Sequence, residues 1–237
     1  MSKISVVIPT FNESRTGIFS DVLAPYQSFP NIQLIIADGG SSDSTLEIAI
    51  RAKAEIVHTG AKSRAERINQ GIAHANGDIV ILNHPRSILD VEGIQYILDN
   101  ASTITWGGFT HRFDRSHPFL KFTSWYSNQV RCKLRGIIYL DHCKFARKEI
   151  IQQACPLPKV DIFEDSILSI RLKKISGPPK LLPFKSTTSS VRFIQNGMFK
   201  QGIMNQLLKV GFILGTDHKK MNMVYEKKTS LNTDYEK

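Results

Sequence analysis

The sequence predicts an α/β protein built on a mainly parallel, Rossmann-like sheet flanked by helices. Two apolar runs near its start, Ile4-Ser5-Val6-Val7-Ile8-Pro9-Thr10 and Ile32 to Ala37, each end in polar residues and are separated by enough chain for a crossover helix. Buried parallel strands read as near-continuous apolar runs, because helices cover both faces of such sheets. Further strand candidates follow at 55–58 and 78–83, with a helix-period stretch at 62–76 between them. Alternating strands and helices argue for right-handed crossovers between parallel strands.

Each element has its own local reason. The first strand runs into Phe11-Asn12-Glu13-Ser14. The second ends in Asp38-Gly39-Gly40-Ser41, and Ser42, Asp43 or Ser44 then supplies an N-cap. Ligands of open α/β sheets bind beyond the carboxyl ends of the strands. Asp38 would thus aim a carboxylate at a ligand, and Gly39 and Gly40 would let the backbone approach it; an ordinary strand-to-helix turn is the competing reading. In 62–76, Ala65, Ile68, Ile72, Ala73 and Ala75 follow helical spacing, with a stop at Asn76-Gly77. Beyond 103, Trp106 to Phe109 and Ile137 to Phe145 read as strands, and 117–134 as an aromatic-rich helix. A proline loop, a helix over 164–175, a Gly177-Pro178-Pro179 break, strands near 180–193 and an amphipathic stretch over 198–214 complete the pattern. The expected organisation is one domain over 1–216, with 217–237 as a polar, basic, partly disordered tail.

The 237 residues suffice for one substantial domain, and the net charge of +10 suggests an anionic partner: a nucleotide diphosphate, an anionic membrane surface or nucleic acid. No helix-turn-helix, zinc-finger or RRM signature supports nucleic acid. Cys132, Cys143 and Cys155 lack paired spacing, so reduced thiols are expected; His111, His117 and His142 lack metal-ligand spacing. No apolar run is long enough to span a bilayer, and the chain enters a core strand at once. The expectation is a cytoplasmic protein, with contact at the inner membrane surface as a further option.

Together, VVIPTFNES and LIIADGGSSDST resemble the family-two glycosyltransferases, whose nucleotide-sugar domain has the GT-A fold. The resemblance implies that Pro9, Thr10, Asn12, Glu13, Asp38 and Gly39 hold a nucleoside, UDP being the commonest in the family. Arg64, Asn69 and Gly71 match an R-x-x-x-x-N-x-G run, and a guanidinium opening a helix suits a phosphate. The competing reading of Arg64 and Arg67 is a solvated basic face.

Relatives carry a D-x-D-like pair after the fourth strand that holds Mg²⁺ or Mn²⁺ against the sugar diphosphate; here His84-Pro85-Arg86 stands there. A histidine in the first place resembles a branch associated with arsenosugar biosynthesis, although that branch keeps an aspartate where this chain has Arg86. An arginine cannot ligate a cation but can supply positive charge to a diphosphate. No metal ligand is therefore assigned. Metal-free catalysis, loss of activity in a nucleotide-sugar-binding protein, and a metal held by other groups stay open.

Glu164-Asp165 begins a run like the family's E-D-x-x-x-x-x-R-L, which implies Asp165 as the base that deprotonates an acceptor hydroxyl in an inverting transfer. Helix capping by acidic residues is the alternative. Asp141, in a run ending Phe145-Ala146-Arg147, is expected to line the sugar or acceptor pocket, with His84 and Arg86 beside the diphosphate. Arg192, in Ser190-Val191-Arg192, would meet the leaving diphosphate or brace the acidic pair. The acceptor is a hydroxyl, with lipid- and glycan-linked hydroxyls as candidates. In 198–214, Phe199, Ile203, Leu207 and Val210 form one stripe beside Met204 and Leu208, read either as packing onto the domain or, with Lys200 and Lys209, as membrane-surface contact.

Overall fold

A computed structural model describes residues 3–226. Its eight-stranded sheet has the order β3-β2-β1-β4-β7-β6-β8-β5. Strands β1 (Ile4–Thr10), β2 (Ile32–Asp38), β3 (Glu55–His58) and β4 (Ile79–Leu82) are parallel and coincide closely with the four expected from their apolar runs. The register pairs Ile4 with Ile32 and Thr10 with Asp38, so β1 and β2 end level. That alignment makes one polar edge from two separate motifs.

Side chains alternate across these strands, and each face has its own core. Val6, Ile8, Ile36 and Ile81 pack with Phe19 and Leu23 of α1 (Phe19–Leu23), Ala49 of α2 (Thr45–Arg51) and Ile94 of α4 (Val91–Asp99). Val7, Ile35, Val80 and Leu82 pack with Ile68 and Ile72 of α3 (Arg64–His74), Ile151 of α6 (Lys148–Ala154) and Leu172 of α7 (Glu164–Ser176). Burying one such side chain contributes about 1.5–3 kcal/mol. Ser63 caps α3, its Oγ accepting from Glu66 N at 3.2 Å and donating to Glu66 Oε2 at 3.0 Å. Gly71 lets α3 lie against β1: a Cβ there would come within 2.3 Å of Val7 Cγ1.

The second half departs from the expected pattern. β7 (Lys144–Arg147) runs antiparallel to both β4 and β6 (Trp106–Phe113), while β8 (Lys180–Thr188) lies parallel to β6 and antiparallel to a short β5 (Ser87–Leu89). The expected strand over 137–145 is instead a loop, a 3₁₀ turn at Leu140–His142 and then β7; Cys143 turns the chain at φ 46°. The expected helix over 117–134 is α5 (Pro118–Tyr126) continuing into a π-helical segment at Ser127–Leu134. There Asn128 exchanges two 2.9 Å hydrogen bonds with the backbone of His111, which ties the widened turns to β6. β8 ends at Thr188, and 191–196 forms α8 (Val191–Asn196) rather than more strand. Neither β5 nor α4 was expected.

α9 (Met198–Ile213) follows, then α10 (His218–Glu226). The sequence places 217–226 in a polar tail, but Met221 is buried with Ile162, Phe163 and Leu208. Packing therefore continues past residue 216, and the rest of that tail, with Lys227 and Lys228, lies outside the described residues. No helix among the described residues is long and apolar enough to cross a membrane.

Candidate active site

The edge where β1 and β2 end brings Pro9, Thr10, Asn12, Glu13, Asp38 and Gly39 together, as their spacing predicts. Their polar atoms are engaged with one another. Asp38 Oδ1 accepts from Thr10 Oγ1 at 2.9 Å and Ser41 Oγ at 2.5 Å; Oδ2 accepts from Gly40 N at 2.8 Å and Ser41 N at 2.7 Å. The carboxylate thus closes the turn itself, and it is 1% exposed. Asn12, at φ 53°, spans the two motifs: its N donates to Ser41 Oγ and its Oδ1 accepts from Ser42 N, both at 2.8 Å. The space a Cβ on Gly39 would need is filled from inside the protein, by Ala61 O at 2.9 Å and Arg67 Cδ at 3.0 Å. Glycine is required at 39 by this contact.

Arg67 is a site residue that the sequence did not reveal. It is buried, not solvated, and its Nη1 donates to Thr10 O at 2.7 Å. Burial and the nearby Arg64 lower its pKa to about 10. An arginine on the helix face toward the sheet, three residues after Arg64, was the available signal.

After β4 the chain turns through Asn83, His84, Pro85 and Arg86. Arg86 does reach the centre of the molecule, but it is buried and its Nη1 lies 3.3 Å from Glu13 Oε2. Glu13 is accordingly a buried residue. Desolvation pushes its carboxyl above the usual range, and Arg86, Arg67 and Arg15 pull it back. His84 Nδ1 accepts from Arg86 N at 3.2 Å. Burial, with the charges of Arg86, Arg64 and Arg192, holds the His84 imidazole well below its ordinary range and therefore neutral. Hard divalent cations take oxygen ligands. A guanidinium cannot ligate one, His84 Nδ1 is engaged by Arg86 N, and among the described residues no group of three His, Cys, Asp or Glu is arranged for a metal.

Beside this edge opens a cleft of about 200 Å³, lined by Arg64, His84, Asp141, Asp165, Arg192 and residues of α5, α8 and α9. Five of the expected residues therefore converge here, while Thr10, Glu13, Asp38 and Arg86 are buried and do not line it. Arg64 makes a tight ion pair with Glu164, and the Glu164 side chain is fully buried. Among the described residues, Glu164 Oε2 has no hydrogen-bond partner. Phe163, at φ 68°, sets the direction of the acidic pair as α7 begins. Asp165 Oδ2 accepts from Leu140 N at 3.1 Å, and the buried Lys144 donates from Nζ to Asp165 O at 2.7 Å. Desolvation and Glu164 push the Asp165 carboxyl above the ordinary range, against the pull of Arg64 and Lys144. Burial lowers Lys144 to about 8.

Asp141 faces two buried histidines, its oxygens 3.7 Å from His111 Nε2 and 3.9 Å from His142 Nε2. His142 accordingly belongs to the interior; burial lowers its pKa to about 4. His117 caps α5. Arg192 neither touches the acidic pair nor stands open: its Nη2 donates to Glu226 Oε1 at 3.0 Å and its Nη1 to Tyr225 O at 3.1 Å, on α10. The stripe on α9 faces outward, with Phe199 71% and Leu207 62% exposed, whereas the buried side of that helix carries Gln201 and Leu208.

A parallel β3-β2-β1-β4 unit with a cleft at its carboxyl edge, extended by antiparallel strands and faced by an acidic pair at the start of α7, is the GT-A architecture of the nucleotide-diphospho-sugar transferases. The chain belongs to glycosyl transferase family 2, whose family model matches residues 5–153. No curated protein sequence matches the chain. Among solved structures it is similar to S. aureus TarS residues 1–349, at 15% identity and a TM-score of 0.59, over 87% of this chain and 64% of that one. The same TarS fragment in complex with UDP-GlcNAc gives 16% identity and a TM-score of 0.60, over 79% and 58%. Glucosyl-3-phosphoglycerate synthase from Mycobacterium tuberculosis, in complex with Mn²⁺, UDP and glucosyl-3-phosphoglycerate, gives 19% and 0.56, over 79% and 70%. At these identities the likeness is one of fold, and the chain spans 64% of the TarS fragment.

Proposed function

We propose that this protein is an inverting glycosyltransferase that moves a sugar from a nucleotide diphosphate, UDP first among the candidates, to an acceptor hydroxyl. The observation that carries the proposal is Asp165. It is a half-buried carboxyl with a raised pKa, at the floor of a cleft whose walls hold Arg64, Arg131 and Arg192. A carboxylate of raised pKa is the stronger base. Asp165 takes the acceptor proton as the hydroxyl oxygen attacks the anomeric carbon. The bond from that carbon to the diphosphate oxygen breaks with its electron pair, leaving negative charge for the cleft arginines to stabilise. Glu164, locked to Arg64, acts on Asp165 through space. Nucleoside recognition falls to the β1–β2 edge, its turn held rigid by Asp38, Asn12 and Arg67.

The residues after β4 support turnover without a metal, and the His84 and Asp141-to-Arg147 runs support a place beside the arsenosugar-associated branch. A second reading is a protein that binds nucleotide sugars without turning them over. The internal Arg86–Glu13 pair favours it, since it occupies a place where relatives use a free carboxylate. A panel of UDP- and GDP-sugars, assayed for donor turnover with and without EDTA, separates the two. The transferase reading expects turnover that survives EDTA and falls at least ~100-fold in Asp165→Asn, the lower end for loss of general-base help. Binding of donors with no turnover of any would establish the second reading.

A further inference from the structure

The cleft does not end at Asp165. It continues into a groove of about 390 Å³ between α5 and α9, and Thr123, Arg131, Phe193 and Asn205 line both. The groove walls are chiefly aromatic and aliphatic, with Phe119, Phe122, Phe199 and Ile203 prominent. It opens onto an apolar face on which Phe122, Trp125, Leu207 and Ile213 are all more than half exposed. Exposed apolar area of this kind, continuous with a catalytic cleft, marks a ligand or membrane contact.

The junction of cleft and groove is cationic. Arg131 is 8% exposed and sandwiched between the rings of Tyr126 and Tyr139, and among the described residues its Nε has no hydrogen-bond partner. Lys209, on the cleft wall, donates from Nζ to Gln206 Oε1 at 3.2 Å. Burial and the charges of Arg131 and Arg135 lower its pKa to about 7, with Asp141 as the opposing carboxylate. Lys121, Lys133 and Lys200 are exposed around the face. A buried guanidinium with an unused donor, beside a second cation, calls for an anion; the groove beyond it calls for hydrocarbon.

We propose that the α5–α9 groove holds the hydrocarbon chain of an anionic amphiphile drawn from a lipid layer, its phosphate head group at Arg131 and Lys209 and its hydroxyl end toward Asp165. This deepens the transferase reading and rests on it: the amphiphile is the acceptor class. The exposed apolar face, ringed by lysines, seats the protein on an anionic lipid surface, so the chain passes from the layer into the groove without crossing water.

Calorimetry with octyl phosphate, inorganic phosphate and octanol, run on the full chain, tests the site. Octyl phosphate should bind at least tenfold more tightly than either fragment. Arg131→Gln should lower octyl phosphate affinity to that of octanol while leaving octanol unchanged. Ile203→Asn, on an exposed lip where folding is not at stake, should weaken octyl phosphate and octanol alike. Octyl phosphate binding no tighter than inorganic phosphate, or affinity unmoved by both variants, would overturn the proposal. Sedimentation with phosphatidylglycerol vesicles should exceed that with phosphatidylcholine at least tenfold; equal or absent sedimentation, or concentration-dependent dimers burying the face, would also overturn it. UDP affinity measured on the same samples keeps the two readings apart. Its loss refutes the transferase proposal, whereas intact UDP binding without octyl phosphate binding refutes only this one.

Discussion

The two walls of the site contrast in how they treat polar atoms. At the β1–β2 edge nearly every buried donor and acceptor is matched within the protein: Asp38 accepts four hydrogen bonds, Glu13 pairs with Arg86, and Arg67 caps Thr10 O, with Asp43 Oδ2 the exception. Around the cleft, Glu164 Oε2, Asp141 Oδ1, His111 Nε2 and Arg131 Nε are buried without a hydrogen bond among the described residues. A buried polar atom left unmatched costs about 1–3 kcal/mol. The edge therefore reads as a finished scaffold, and the cleft as a surface whose chemistry is completed by a ligand. Function here sits where stability has been given up.

That contrast can be broken most forcefully at Arg86. Arg86→Ala leaves Glu13 buried without its nearest cation, and urea unfolding should show a loss of about 3–5 kcal/mol. The sign with pH is definite. The carboxyl of Glu13 already has a folded pKa above its ordinary 4.5, so the folded state binds more protons there and stability falls as pH rises through that window. The Arg86→Ala deficit should accordingly shrink on acidification toward 4.5; a deficit that grows would show that Glu13 is not its source.

Two aspartates sharpen the comparison. Asp38→Ala strands Thr10 Oγ1, Gly40 N and Ser41 N and should cost about 1–3 kcal/mol by the same measurement. Asp165→Asn keeps an oxygen for Leu140 N and removes a poorly solvated charge, so stability should hold or rise while turnover collapses. Equal destabilisation by both would erase the distinction between scaffold and chemistry.

A smaller effect comes from His142. Its folded pKa of about 4 lies below the ordinary 6.5, so the unfolded chain binds the extra proton between those values. Stability should be fully present above 6.5 and fall as pH drops toward 4. His142→Asn should flatten that part of a Tm-against-pH curve, and an unchanged slope would assign the acid sensitivity to other groups.

The same contrast governs what the sequence disclosed. Strands β1, β2 and β4 are buried over most of their length on both faces, which forces near-continuous apolar runs, and the runs mark their ends to within a residue; the short edge strand β3 keeps Glu55 and His58 exposed. β6 and β7 hold His111 and Lys144 in the interior, so no apolar run marks them fully. Arg67 and Arg131 look like solvent-facing cations until helix packing turns them inward. The stripe on α9 was visible but not its direction, because Gln201 lies on the buried side. Local periodicity shows that a helix has two faces; only tertiary contacts decide which one is covered.

Most is at stake in the proposal that a nucleotide diphosphate binds in the cleft beside the β1–β2 edge, although His84-Pro85-Arg86 after β4 offers no carboxylate to a metal. Titrating UDP into the wild-type protein by calorimetry, in EDTA and again in Mn²⁺, tests it most directly. The protein should bind UDP in EDTA with a Kd within about threefold of the Mn²⁺ value, a difference well under about 1.4 kcal/mol. Binding that appears only with Mn²⁺, or in neither condition, would contradict it.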